Sequence, residues 1–561
     1  MKKLLRVLSL CLVMAMLLTC LTLPAVAENL NAGREKVNIR FAQFGNSIDD
    51  PDGMANDPIK KMLEDTVNCT IEYDTGTDGF DDRMQTELAV GAAPDLFPTW
   101  GESEKILKWI ADEAVVNVGA LVAAEPDRYP TLAKIMSDPN YKAYNKLYSG
   151  DENAAYAIYS IAAFAQPTFS GVPTYNKAVL DQVNEGKTPA TVEEFIDYAN
   201  KAGAAGITGW WPRNNKLTNW NEIDKTLAAP QGTTIIAPQG DAWNGFIQTA
   251  EDTWKLATTS DQSKEVVKQL AELYKSNGLS QGVGIKGDFD DAYAEFGTGK
   301  IGAANFGFGY PAQYRDFYNT CWAAANPDTA KPEDLVLGTA LTSNGEYGKT
   351  YSTYMWMGAH YFIPSTCKYP DRVLDLVEYI ASADGQKLLF QGIEGQQFTM
   401  EGETPVYDIQ KWVDVNKAYG YPDPDRAHYV WFSYLFSGTE YRCDFAGEKG
   451  WWDVVTSPYD NTNDWASEAD KALVDYAKGV ISGFVDSVMV KLPSYYAMLA
   501  MPPEANDIRT KMQDISNRYL TAMIGGQMDI ETEWPNYVKE YEDAGAAQLE
   551  QMLNDAIVAA K

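Results

Sequence analysis

The residues of this sequence best suited to site chemistry are aromatic side chains that stand beside amides. The chain contains 15 Trp, 33 Tyr and 20 Phe. Flat aromatic rings cover the apolar C–H faces of pyranose rings, while amide, carboxylate and indole N–H groups pair with the hydroxyls. Gln43, Phe44 and Asn46 follow a predicted strand, and Trp210 and Trp211 follow a Gly-Ile-Thr-Gly segment. Such groupings are typical of sugar sites, although a single aromatic residue more often belongs to a core.

Other site chemistries find less support. The only histidines are His360 and His428, which are too few for a zinc site or a serine-histidine arrangement. We therefore predict no metal, no cofactor and no catalytic residue, and we interpret His360 as a packed histidine. A secreted glycoside hydrolase stays open as an alternative, because 78 acidic residues allow many carboxylate pairs. The four cysteines after position 27 are scattered, so their disulfide state is open as well.

The charge balance excludes one large class of partners. Lys and Arg number 46 against 78 Asp and Glu, which gives a formal net charge of −32. Binding of nucleic acid needs a basic face that neutralises phosphates, so we predict no nucleic-acid partner. The excess of carboxylates favours solubility in an exposed compartment.

The first 27 residues predict an export signal. Basic residues at positions 2, 3 and 6 precede an apolar run over 7–23, and Ala25-Val26-Ala27 forms a small-x-small cleavage pattern. We expect cleavage after Ala27 and an extracellular or cell-surface location. The alternative is lipidation at Cys20, where Leu17-Leu18-Thr19-Cys20 resembles a lipobox whose Thr19 fits poorly. Membrane association is expected only through such an anchor.

The elements that must position the candidate residues alternate between strands and helices. Short apolar strands are predicted at Val37–Phe41, Cys69–Tyr73 and Leu96–Trp100, with helices between them, which indicates βαβ units. A longer strand is predicted over Tyr156–Phe164 and another at Ile301–Asn305. A chain of 561 residues exceeds the usual size of one core, so two lobes are expected.

Helix signals are strongest in two places. Thr191 followed by Glu194 forms a capping box in front of a helix over Val192–Ala202. The C-terminal third is mostly helical, ending in a helix over Trp534–Ala559. Since no flexible linker separates the lobes, we expect the chain to pass between them several times.

Six segments, in order along the chain, carry a resemblance to a known family. The first consists of a helix, a glycine and a strand that begins with Pro-Asp, and the second is a crossover that begins with "YNK". The third is a helix-to-strand step with "GTGK", the fourth an Ile-Pro segment, the fifth a "GIEG" turn and the sixth a C-terminal helix signature. They are Met84–Phe97, Tyr175–Glu194, Phe296–Ala303, Ile363–Gly385, Gly392–Gly395 and Ile530–Val538. Together they resemble the extracellular solute-binding proteins of carbohydrate ABC importers, a family that includes maltodextrin-binding proteins. The likeness is greatest to the lipoprotein branch that handles complex oligosaccharides.

This resemblance implies a fold and a division of the chain. The fold would be α/β and two-lobed, a type II periplasmic-binding-protein-like fold with mixed sheets flanked by helices, a ligand cleft between the lobes and a helix-rich C-terminal part. The first lobe would comprise residues 28–165 plus 342–370. The second would comprise residues 166–341 plus 371–561. The chain would be a monomer whose partners are an oligosaccharide and the permease subunits of an ABC importer; a polysaccharide-binding surface protein without a transport role is the further alternative.

The candidate ligand-binding residues are those that follow predicted strands or line the crossovers of such a fold. By the resemblance, Trp100 follows a strand at the cleft, and Phe308 and Tyr310 occupy the place of an aromatic platform. The full set is Gln43, Phe44, Asn46, Trp100, Phe164, Trp210, Trp211, Asn214, Phe308, Tyr310, Trp356 and Trp431.

Overall fold

A computed structural model of the chain describes most of its residues. The described residues are 30–44, 57–76, 79–99, 103–158, 161–163, 172–212, 221–239, 242–282, 294–305, 314–315, 317–352, 355–357, 360–396, 398–402, 404–407, 411, 414, 468–493, 495–496 and 499–561. The predicted export signal lies outside them.

The described residues form short strands and longer helices. The strands are β1 (Val37–Phe44), β2 (Cys69–Gly76), β3 (Phe97–Thr99), β4 (Ile161–Ala163), β5 (Thr174–Asn176), β6 (Thr208–Trp211), β7 (Phe246–Ala250), β8 (Thr253–Leu256), β9 (Ile301–Ala304), β10 (Leu335–Leu337), β11 (Thr342–Ser343), β12 (Glu346–Tyr347), β13 (Thr350–Ser352), β14 (Met355–Met357), β15 (His360–Phe362), β16 (Phe398–Glu401), β17 (Thr404–Tyr407) and β18 (Met489–Lys491). The helices are Pro58–Val67, Phe80–Ala89, Ser103–Ala111, Val118–Ala124, Pro130–Met136, Pro139–Ser149, Lys177–Val183, Val192–Ala204, Asp261–Lys275, Pro370–Ala381, Ala383–Gln391, Glu468–Val488, Glu504–Ile524, Ile530–Ala544 and Ala546–Ala560, with short helical turns at Asn221–Ile223, Asp224–Ala228, Ala229–Gln231, Tyr318–Ala323 and Pro332–Asp334.

The first sheet has the order β2-β1-β3-β15. Strands β1 and β2 run parallel over their whole length, and Leu96, just before β3, bridges Phe41 of β1 in the same direction. Strand β15 runs antiparallel to β3, and Ile158 bridges Tyr361 of β15 at the far side. Buried side chains from residues 37–158 and 361–393 form one apolar cluster on this sheet and its helices.

The second sheet has the order β10-β5-β9-β6 and is covered on both faces. Strands β6 and β9 are parallel, while β5 is antiparallel to both of its neighbours. Because side chains alternate along a strand, Trp210 and Trp211 of β6 enter different clusters. Trp210 joins a large cluster that extends to the C-terminal helices, and Trp211 joins a smaller one around Phe296.

The return of the chain to the first core differs from the predicted one. The sequence places 342–370 in the first lobe and everything after 370 in the second. The buried side chains of helices Pro370–Ala381 and Ala383–Gln391 instead belong to the first cluster. Residues 342–352 lie with the second cluster, since Thr342 donates its N–H to Ala190 and Tyr351 packs there. The structure therefore returns the chain to the first core over 360–393.

Buried polar contacts explain this placement of the helix Pro370–Ala381. Asp375, with 3% of its surface exposed, accepts hydrogen bonds from Asn31 and from two guanidinium nitrogens of Arg128, each at 2.8 Å. The two carboxylate oxygens of Glu378 accept the N–H groups of Thr131 and Leu132 at 2.8 Å each. Those N–H groups open the helix Pro130–Met136 and have no partner inside it. Moving Pro370–Ala381 to the other lobe would take these partners from the buried carboxylates of Asp375 and Glu378 and from the buried N–H of Leu132.

Other local predictions have mixed outcomes. The capping box of Thr191 and Glu194 is confirmed. Within the predicted strand Tyr156–Phe164, the described residues form a bridge at Ile158 and the short β4. The predicted C-terminal helix is two helices, because Gly545 adopts a φ of 110° between them, a backbone conformation that glycine adopts without strain.

Candidate ligand-binding site

The first sheet presents three chain segments at one edge. Strands β1 and β3 point the same way, so their carboxyl ends, Phe44 and Thr99, reach the same edge. Strand β15 is antiparallel and begins there, with His360 opposite Thr99. The predicted residues Gln43 and Phe44 are the last two positions of β1, and the predicted Trp100 follows Thr99 in the sequence.

The second sheet presents a matching edge. Trp211 ends β6 beside Ala304, which ends β9. Because β5 is antiparallel, its first residue Thr174 lies opposite Ala304, and Leu337 at the end of β10 lies opposite Thr174. The predicted residues Asn214, Phe308 and Tyr310 follow β6 and β9 in the sequence.

Two crossovers connect the two lobes, one ending at Thr174 of the second sheet and the other beginning at β13, which pairs with β18 outside that sheet. The first leaves the first sheet at Ile158, forms β4 and enters the second sheet at Thr174; the second runs from Ser352 through β14 to His360. Strands β4 and β14 pair antiparallel, with Trp356 opposite Ala162. A cleft between two lobes at strand ends is where ligands bind in α/β proteins of this kind.

Trp210 supports the second edge from inside the core. Its side chain is 0% exposed, and its indole N–H donates to Oδ1 of Asn305 at 2.5 Å. The Asn305 amide donates in turn to the hydroxyl of Thr226 at 3.3 Å, and Phe195 meets the indole ring edge to face at 5.1 Å. In this conformation Trp210 has no surface to offer a ligand; it orients Asn305, which directly follows β9.

Trp211 is also packed, with 6% of its surface exposed in the cluster around Phe296. Sequence reasoning missed Asn305 and Thr226. The available signal was an amide directly after the small, apolar strand Ile301–Ala304, where a core would otherwise favour an apolar residue.

His360 lies at the first edge and is a packed histidine, as its isolation in the sequence suggested. It is 2% exposed. Its ring lies 5.8 Å from that of Tyr144 and 6.3 Å from that of Tyr148. Burial lowers its pKa to about 4, because the low-polarity surroundings disfavour the charged imidazolium.

The remaining predicted ligand contacts stay predictions. Trp356 is a position of β14 and Gln43 and Phe44 are positions of β1. Seven candidates lie outside the described residues: Asn46, Trp100, Phe164, Asn214, Phe308, Tyr310 and Trp431.

Three further features bear on what the described part of the chain can do. No group of three or more His, Cys, Asp or Glu there has the arrangement of a metal site. None of its helices combines the length and the apolar character needed to cross a membrane. Cys69, Cys321 and Cys367 are free thiols, and burial raises the pKa of each to about 12.

Two α/β lobes, each with its own core and joined by paired crossover strands, define the class of two-lobed binding proteins. The chain belongs to the bacterial extracellular solute-binding protein family, whose family model matches residues 58–396, more than half of the chain. No curated protein matches the chain significantly by sequence.

Solved structures of similar fold cover nearly the whole chain. An HMO-binding, ABC-transporter-associated solute-binding protein from Bifidobacterium longum infantis is 16% identical with a TM-score of 0.62, covering 93% of this chain and 99% of its own. The alginate-binding protein AlgQ2, solved without calcium ion, is 14% identical with a TM-score of 0.64, covering 95% and 100%. FusA from S. pneumoniae, in complex with kestose, is 16% identical with a TM-score of 0.62, covering 93% and 99%. At these identities the likeness establishes the two-lobed fold.

Proposed function

We propose that this chain captures an oligosaccharide between its two lobes and presents it to the permease of an ABC importer. The observation that carries the proposal is the pairing of β4 with β14 between two separate cores, whose strand ends are followed in the sequence by aromatic and amide residues. Membership of the extracellular solute-binding family supports the capture of a solute.

The class of solute rests on two supports. Proteins of similar fold bind HMO, alginate and kestose, all of them carbohydrates. The candidate residues of this chain offer ring faces and amides, which suit pyranose C–H faces and hydroxyls. The net charge of −32 favours a neutral sugar over a polyanionic one such as alginate.

We further propose that the chain works outside the cell as a monomer that binds its sugar without cleaving it. Export rests on the leader over residues 1–27, with cleavage after Ala27 and lipidation at Cys20 as the alternative. Closure of the lobes on ligand is the expected conformational step, because a ligand that contacts both edges favours the closed arrangement.

A glycan array probed with residues 28–561, followed by titration of each hit in a thermal-shift assay, tests the function. We expect saturable stabilisation, about 2.7 kcal/mol at a hundredfold excess over the Kd, and no new reducing ends after prolonged incubation. Turnover of the bound glycan would support a hydrolase instead. An array without any hit would refute carbohydrate capture.

A pair of tryptophan variants tests the place of binding. Trp356→Ala, on the second crossover, should weaken binding of the array hit about tenfold, or 1.4 kcal/mol. Trp534→Phe is the matched control, since Trp534 is buried in the C-terminal helix Ile530–Ala544 and its indole N–H has no hydrogen-bond partner among the described residues. Equal affinities for Trp356→Ala and the unaltered chain would place the sugar elsewhere.

A further inference from the structure

The second lobe contains a pocket that is formed without any residue of the first core. Its volume is about 550 Å³, within the range of sites for small organic ligands. Its walls come from residues 224–236, 243–248 and 346–351, none of which belongs to the first core.

The pocket walls are fixed by buried hydrogen bonds. The Asp224 carboxylate accepts the N–H of Ile235 at 2.6 Å. The buried hydroxyl of Thr258 lies 3.1 Å from the carbonyl oxygen of Ile236 and 3.2 Å from that of Gly245, and so joins two walls. Walls held in this way are preformed, which lowers the cost of ordering on binding.

The lining combines aromatic rings with polar groups. Tyr347, with 45% of its surface exposed, and the buried Trp243 both line the pocket. Its polar lining includes the half-buried Gln248 and the exposed Glu346 and Lys349. Charges of both signs line the pocket, so neither an anion nor a cation is selected, and a neutral polyhydroxylated ligand fits this mixture best.

The pocket adjoins the second sheet edge. Lys225, in its wall, directly precedes Thr226, whose hydroxyl accepts the amide of Asn305 at the end of β9. On the other side, Tyr351 lines the pocket and lies four residues before Met355, the start of β14. The pocket wall is therefore continuous along the chain with a residue that holds the sheet edge and with the second crossover.

We propose that this pocket is a second saccharide subsite, which holds the far end of an oligosaccharide whose other end lies between the two sheet edges. The proposal rests on the proposed function and specifies its ligand: a neutral chain long enough to extend beyond the cleft, with a sugar face on the ring of Tyr347.

A size ladder tests it. The probes are the di- to octasaccharides of the neutral glycan backbone that binds in the array, and the measurement is calorimetric titration of the chain comprising residues 28–561. Tyr347→Ala should weaken binding of the longest members about tenfold and leave the shortest unchanged. Tyr347→Phe keeps the ring and should bind like the unaltered chain. Lys255→Ala, on the adjacent exposed face of β8, is the control for surface change.

The outcomes separate the two proposals. Loss of affinity with Tyr347→Ala that is the same for every length, or no loss for any length, overturns the second subsite while oligosaccharide capture stands. Absence of binding by every glycan overturns the proposed function and the subsite together. An unchanged thermal unfolding midpoint of Tyr347→Ala shows that a loss of affinity is not a loss of folding.

Discussion

Acidification should destabilise the first lobe through His360. Its pKa is about 4 in the folded chain, against 6.5 for an unperturbed histidine. The folded value is depressed, so the neutral ring contributes stability above pH 6.5 that is lost as the pH falls through 4. Each unit of pKa difference corresponds to 1.36 kcal/mol, so His360 alone should lower the free energy of unfolding by about 2.5 kcal/mol between pH 7 and pH 4.5.

The variant that isolates this effect is His360→Phe, which keeps a ring between Tyr144 and Tyr148 but cannot take up a proton. Its absolute stability includes a change in packing that does not depend on pH. The difference in unfolding free energy between the two chains, measured by urea at both pH values, should therefore change by about 2.5 kcal/mol in favour of the variant at pH 4.5.

The pKa of His360 can be measured directly by NMR. Replacing the only other histidine, His428→Asn, leaves a single imidazole whose NMR titration reports His360 alone. A midpoint near 6.5, or a stability difference that does not vary with pH, would refute the assignment of His360 to a buried, low-polarity site.

Three further predictions follow from buried polar groups. Glu378→Gln should lower the unfolding free energy by about 2 kcal/mol in urea titrations, because a buried N–H loses its acceptor. A double-mutant cycle of Trp210→Phe and Asn305→Ala should give a coupling of about 1 kcal/mol, whereas additive losses would refute their hydrogen bond. Burial raises the pKa of Asp224 from 3.8 to about 6. The protonated carboxyl group therefore contributes to the stability of the fold below pH 3.8, and this contribution is lost as the pH rises through 6. The unfolding free energy of Asp224→Asn, measured in urea, should be about 3 kcal/mol higher than that of the unaltered chain at pH 8 and equal to it at pH 3.5.

The sequence could predict the elements whose signals are local. Hydrophobic alternation located β1 and β2, and the capping box at Thr191 located a helix start, because each of these depends on a few neighbouring residues. The return of the chain to the first core could not be predicted in this way. It depends on Asp375 and Glu378 meeting Arg128 and the helix start at Thr131, partners about 245 positions away, and nothing near Pro370 indicates which lobe supplies them.

The candidate site shows the same limit. The order of strands and helices could be predicted, whereas seven of the candidate ligand contacts lie outside the described residues and stay predictions. The role of an individual ring could not be predicted. Trp210 and Trp211 are adjacent in the sequence but enter opposite faces of one sheet, and the packing on each face determines how much of each ring is exposed. The pocket lined by Tyr347 could not be predicted for another reason. Its walls come from three segments that are far apart in the sequence and come together only in the tertiary structure.

The second crossover leads along the chain from the pocket to the first sheet edge. Tyr351 lines the pocket, β14 pairs with β4 between the lobes, and His360 stands at the first edge, all within ten residues. Because the two crossover strands are paired, a change in the angle between the lobes must bend both together. A saccharide that lies between the two edges and also fills the pocket makes contacts at the second-lobe end of this crossover that a short one lacks, so we expect it to favour the closed state more strongly. Small-angle scattering across the size ladder should therefore show greater compaction with the longer members than with the shorter ones, and equal compaction with every length would refute this link between ligand length and closure.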